Sequence, residues 1–172
     1  MDFLSLASNR YSIRGYDSQK PVEKEKLFRI LEAGRMAPSA ANRQPWTFVV
    51  IQSEKMRNQI NQVYAAPWIA NAPLILIVKG RRSEAWSRKA DQYNSIETDL
   101  AIAMTHLILA ATAEGLSSCW IAAFDEANLR KLLKLTEDEV VFAMTPIGYK
   151  TETGIITRPK TRKPLEEIVE WL

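Results

Sequence analysis

The sequence predicts an α+β fold in which helices flank one central mixed β-sheet. Three observations carry that expectation. Short apolar runs of strand character alternate with stretches of helical periodicity. Two helical stretches precede the first strand, which departs from a regular strand–helix–strand series. Neither a Gly-x-Gly-x-x-Gly nor a Gly-Lys-Ser/Thr loop occurs, so dinucleotide-binding and P-loop architectures lack support.

Phe3, Leu4 and Leu6 mark a short first helix. Residues 24–36 form a second, with Leu27, Ile30 and Leu31 on one face and Pro21 and Pro38 at its borders. Residues 46–51 include Val49, Val50 and Ile51 and read as a buried strand. Residues 54–63 are weakly helical, and residues 73–78 are a second buried strand. Residues 79–91 are charged and without period, which predicts a loop or lid carrying an exposed Trp86. Residues 93–114 are apolar on nearly all sides, as a buried central helix should be, and Gly115 ends them. A third strand follows over 117–122, then a helix capped by Asp125 and bearing Leu129, Leu132 and Leu133. Residues 140–149 are a fourth strand, 151–163 are polar and extended, and 165–172 close the chain.

At 172 residues the chain fits a single domain spanning its whole length, and 47% hydrophobic residues are enough for a real core. The net charge of +3 is too small to point to a polyanion, so no nucleic-acid partner is expected. Cys119 is the one cysteine, which excludes an intrachain disulfide and favours a reducing, cytoplasmic setting. The start of the chain lacks the pattern of a signal peptide. Residues 100–116, with His106 and Glu114, read as too short and too polar to span a membrane.

Three segments hold candidate chemistry. If residues 10–14 are extended, Arg10, Ser12 and Arg14 share one side and offer donors suited to a phosphate. Residues 37–46 are small and amide side chains before a strand, where a backbone can approach a flat ligand. Residues 158–164 form a second cationic cluster with Lys160 and Arg162. On residue chemistry alone each has an ordinary alternative: a solvated basic turn, a plain helix-to-strand loop, or a basic tail. His106, inside the most apolar helix, reads as structural, which leaves a Ser-His-Asp triad unsupported. Cys119 reads as a buried inert thiol, and no spacing of His, Cys and carboxylates suggests a metal site.

Taken in order, these segments resemble the nitroreductase family of flavoproteins. Arg10-Tyr11-Ser12-Ile13-Arg14 is similar to the family's Arg-Arg-Ser-hydrophobic-Arg opening, with Tyr11 as the departure. Ala-Pro-Ser, small residues, Asn and then Gln-Pro-Trp recur over residues 37–46. Glu114-Gly115-Leu116, Pro146-Ile147-Gly148-Tyr149 and Arg162-Lys163-Pro164-Leu165 continue the pattern over essentially the whole chain. The resemblance implies an FMN-dependent homodimer with two flavins at the interface. It implies that Arg10, Ser12, Arg14, Lys160 and Arg162 of one subunit hold the flavin, with Arg10, Lys160 and Arg162 near the phosphate and Arg14 toward the pyrimidine edge. Pro38, Ser39, Ala40 and Asn42 would come from the other subunit, and backbone from Trp120 through Ala122 and Ala123 would lie beside N5. Ala122-Ala123 stands where larger members carry an acidic residue and glycine. The implied reaction takes hydride from NADH or NADPH through the flavin to a nitroaromatic, quinone or similar small acceptor, with no protein nucleophile. Reductive dehalogenation or flavin fragmentation is the alternative within the same resemblance. An anion- or nucleic-acid-binding module is the distant third.

Overall fold

The computed structural model describes residues 2–152 and 160–172. Its sheet has the order β1-β2-β4-β3, with β1 at Trp46–Ile51, β2 at Leu74–Arg81, β3 at Ser117–Ser118 and β4 at Glu139–Gly148. All three pairings between named strands are antiparallel. The expected mixed character reduces to a parallel bridge between Ser12 and Ser118 at the β3 edge.

Helices cover both faces. β2 is apolar at consecutive positions because both of its faces are buried. Leu74, Leu76 and Val78 pack with α2 (Lys24–Arg35) and α4 (Ile96–Ala113), through Leu27, Ile30, Leu100 and Leu107. Ile75 and Ile77 point the other way, to α3 (Glu54–Val63) and α5 (Glu126–Leu133), through Ile60, Val63 and Leu129. The short α1 (Phe3–Asn9) has no buried residue. Asp2, Ser53 and Asp125 cap α1, α3 and α5 by accepting from the amides of Ser5, Met56 and Asn128. Gly115 ends α4 at φ 74°, where a side chain would be strained.

Three expectations change. Of residues 79–91, the first three belong to β2, and the rest is a held turn rather than a free lid. Ser87 bridges Asn94, Arg88 pairs with Asp91, and Ser83 Oγ donates to Asp138. Trp86 is consequently half-buried, not exposed. The third strand stops at Ser118 because the Cys119 amide donates to the Thr145 side chain, 3.3 Å away, instead of to a β4 carbonyl. A bridge between Ile121 and Met144 resumes the pairing for one position only. Finally, α4 has 18 residues at a mean hydropathy of 1.3, which meets the length and composition of a membrane span and overturns the expectation that it is too short and too polar. Its packing marks it as a core helix: Leu100, Ala103, Met104, Leu107 and Ala111 have no exposure at all.

Candidate functional site

Residues 10–14 run extended along β3. Ile13 donates its amide to the Ser118 carbonyl at 2.9 Å and buries its side chain, which leaves Arg10 and Ser12 half-buried and Arg14 exposed. Cys119 lies against this stretch. Burial pushes its thiol up, opposed by the Arg14 charge, a hydrogen bond with Ser12 and the Arg10 charge. Sequence reasoning left Cys119 out of the site; the fold puts it in the wall beside the two arginines.

Lys160 joins the same end. Its Nζ donates to the carbonyls of Ala7, Ser8 and Arg10 at 2.5, 2.9 and 3.1 Å. An ammonium has three protons, so all are used at the C-terminal end of α1. Burial and the charges of Arg10 and Arg162 lower its pKa, which places three cations together. Two of them, Lys160 and Arg162, line a depression of about 460 Å³ together with Leu4, Ala7, Ser8 and Tyr11. Among the described residues, no salt bridge involves Arg10, Arg14, Lys160 or Arg162. Arg158 and Pro159 of the second cationic cluster lie outside the described residues.

The small-residue loop is elsewhere. After the exposed Pro38, residues Ala40–Asn42 make a 3-10 turn, and Ala41, Asn42 and Gln44 take φ of 51°, 53° and 51°. For non-glycine residues that conformation costs roughly 1–2 kcal/mol each, least for Asn. Side chains hold it. Ser39 Oγ accepts from the Gln44 amide at 2.9 Å, and Gln44 Nε2 donates to Asn42 Oδ1 at 3.0 Å. Asp99 of α4, 1% exposed, accepts from the Ala40 amide at 2.9 Å. Gln44 belongs to the Gln-Pro-Trp motif noted in the sequence, whereas Asp99 was not singled out from sequence. The available signal for Asp99 was a carboxylate within the buried stripe Ile96, Leu100, Ala103.

Trp120 packs edge-on to Phe142 with ring centroids 5.7 Å apart. Ala122 and Ala123, just beyond the Ile121–Met144 bridge, are exposed, and among the described residues their amides donate to nothing. Two backbone donors are therefore open at the sheet edge, whatever their side chains.

The arginine stretch and the small-residue loop do not meet in one chain. Ser12 bridges Ser118, Ser118 pairs with Ile147, and Ile147 pairs with Leu74. The loop's Pro45 carbonyl sits against Gly80, six residues along β2. At about 3.3 Å per residue that is roughly 20 Å, the two groups lying at opposite ends of the sheet.

The chain matches the model of the "Nitroreductase family" over residues 7–65 and 58–149, and it belongs to that family. A solved nitroreductase family protein of Clostridium difficile 630 is 36% identical, covering 99% of this chain and 98% of its own, with a TM-score of 0.87. An NADH dehydrogenase of Thermus thermophilus is 28% identical over 201 residues, 99% of this chain and 96% of its own. An iodotyrosine deiodinase of Thermotoga neapolitana is 25% identical over 190 residues, 95% of this chain and 94% of its own. A structure from Exiguobacterium sibiricum 255-15, solved with FMN, shares the fold at a TM-score of 0.87 and 22% identity, covering 100% of this chain and 98% of its own. The fold and family expected from sequence are those found, and the chain is an oxidoreductase by family.

Proposed function

We propose that the chain is an FMN-dependent NAD(P)H oxidoreductase whose two flavin sites are each completed by a second copy of itself. The observation that carries this is the unpaired cation cluster at one end of the sheet, about 20 Å from the strained small-residue loop at the other. Each half suits part of one ligand, and only a second chain can bring the halves together. The FMN held by the Exiguobacterium relative and the name of the Thermus relative support the same reading.

The residues fit the group. Arg10 and Arg162 hold the phosphate, with Lys160 adding charge while it docks the tail to α1. Ser12 and Arg14 reach the ring system, Arg14 favouring negative charge at its pyrimidine edge. Pro38, Ser39, Ala40 and Asn42 of the partner subunit cover the other side. The amides of Ala122 and Ala123, without an acceptor among the described residues, would be free to donate to the flavin. Bound FMN would supply the hydride-transfer chemistry between a nicotinamide and an acceptor, so the chain would need no nucleophile of its own.

Assembly through α4 fits its surface. Ala101, Thr105 and Leu109, spaced four apart, form an outward stripe in which Thr105 is exposed and Ala101 and Leu109 are half-buried. Obligate interfaces commonly bury more than about 2,000 Å². A lone thiol, buried, fits a cytoplasmic setting. The deiodinase relative favours one second reading, reductive dehalogenation on the same flavin.

The test is the visible spectrum and sedimentation of the purified protein. A yellow dimer releasing intact FMN is expected, bleached anaerobically by NADH or NADPH and reoxidised by a quinone or nitroaromatic. A colourless protein that takes up no added FMN sinks the reading. Bleaching only by a non-nicotinamide reductant, with halide released from a haloaromatic, selects the dehalogenase.

A further inference from the structure

Among the buried polar side chains, Asp99 stands apart, because its two oxygens join segments that otherwise share no support. Oδ1 accepts from the Ala40 amide at 2.9 Å and Oδ2 accepts from Ser95 Oγ at 2.7 Å. Ser95 is itself 2% exposed and donates its amide to the Trp86 carbonyl at 2.9 Å, at the base of the turn closed by the Ser87–Asn94 bridge. One carboxylate thus fastens both the small-residue loop and the 86–95 turn to the first turn of α4.

The turn has its own internal hydrogen bonds, but the loop cannot hold its shape on local interactions alone. The loop carries three non-glycine residues at positive φ, a conformation that persists only where its surroundings over-determine it. The hydrogen bonds from Ser39 and Gln44 lie within the loop and move with it. Asp99 supplies an anchor from outside, on the rigid core helix. A buried carboxylate with two donors is strongly bound to both, and removing it leaves the Ala40 amide and the Ser95 hydroxyl without a partner.

We propose that Asp99 is a positioning residue for the cofactor: it holds residues 39–44 in the shape that receives the flavin and, through Ser95, ties that shape to the turn carrying Trp86. This rests on the flavin reading above. Asp99, 1% exposed, acts only through the residues it holds. A change in the turn that strains Ser95 would reach the small-residue loop through the carboxylate.

The test uses Asp99→Asn, Asp99→Ala and Ser95→Ala in the full chain, with FMN affinity and hydrogen–deuterium exchange of the apoprotein as two readouts. The amide of Asp99→Asn can accept from Ala40 through its oxygen and donate to Ser95 Oγ through its nitrogen, so it should bind FMN within about threefold of wild type. Asp99→Ala should bind roughly tenfold or more weakly. Its peptides covering residues 39–44 and 86–95 should exchange faster while β2 and β4 stay protected. Ser95→Ala, the milder probe should Asp99→Ala fail to fold, should fall between the two. Wild-type affinity in Asp99→Ala or Ser95→Ala overturns the proposal, as does a loss in Asp99→Asn equal to that in Asp99→Ala. A wild-type protein that binds no FMN refutes the flavin reading instead; loop exchange in the variants then still decides whether Asp99 holds the loop.

Discussion

Lys79 Nζ lies 2.5 Å from Glu139 Oε1, an ion pair set between the two longest strands where β2 and β4 shift register. The Lys79 hydrogen bond, helped by the Thr136 amide, pulls the Glu139 carboxyl from its ordinary 4.5 down to about 2. A carboxylate whose pKa is depressed by folding contributes stability that is complete above about pH 4.5 and is lost as pH falls toward 2. Lys79→Met should therefore destabilise by on the order of 2 kcal/mol at pH 7. That is below the figure for a wholly dry pair, because Lys79 still reaches solvent. The gap between variant and wild type should narrow at pH 3, as urea unfolding at the two pH values will show. An equal gap at both removes the pair as the cause.

Gly80 has no room for a side chain. A Cβ there would lie 2.1 Å from the Pro45 carbonyl oxygen, and Ile96 and Leu100 close the remaining space. Gly80→Ala must push β2 away from the chain entering β1 and disturb the loop next to it. A loss of about 2–3 kcal/mol is expected from chemical denaturation, together with weaker FMN uptake. A variant of wild-type stability would mean that the loop shifts freely.

Arg14 and its neighbours should separate by kind of effect. Arg14→Ala should lower the flavin potential and slow turnover more than it weakens FMN binding. Arg10→Ala or Arg162→Ala should mainly weaken binding, by about 1.5–3 kcal/mol for one charge-assisted hydrogen bond. Spectroelectrochemistry and FMN titration distinguish the two. An unchanged potential in Arg14→Ala would place its guanidinium away from the ring.

Donor and acceptor should share one open flavin face and use it in turn, giving parallel lines in double-reciprocal plots with both substrates varied. His106→Ala and Cys119→Ala should keep most turnover. Among the described residues His106 Nδ1 meets the Ala33 carbonyl, at 3.2 Å, and burial pushes the Cys119 thiol up, away from the reactive thiolate. Intersecting lines with a demonstrable ternary complex would rule out the shared face.

Much of this was legible in the chain, and the exceptions have physical causes. Periodicity located the helices and the buried strands, because residues such as Leu76 and Ile77 must be apolar on both faces of β2. The end of the third strand was not legible, since it depends on a hydrogen bond from the Cys119 amide to Thr145 across 26 positions. The ordered turn after β2 was hidden for a similar reason: its hold on Asp138 joins residues 55 apart. The segments of the candidate site were picked out by their pattern, but Asp99 was not. A carboxylate in an apolar helix has no meaning until the fold brings the Ala40 amide to it.

Ala41 has a consequence for how the family could vary at this position. Its exposed methyl sits at φ 51°. Replacement by glycine would release roughly 1 kcal/mol or more of left-handed strain in the folded chain. It would also raise the backbone entropy lost on folding by about 0.5–1 kcal/mol. The strain is the larger of the two, so glycine at this position should be modestly more favourable for thermal tolerance than the alanine present. The methyl at 41 is therefore retained at a small expense to the fold, on an outward-facing surface that a neighbouring molecule can meet.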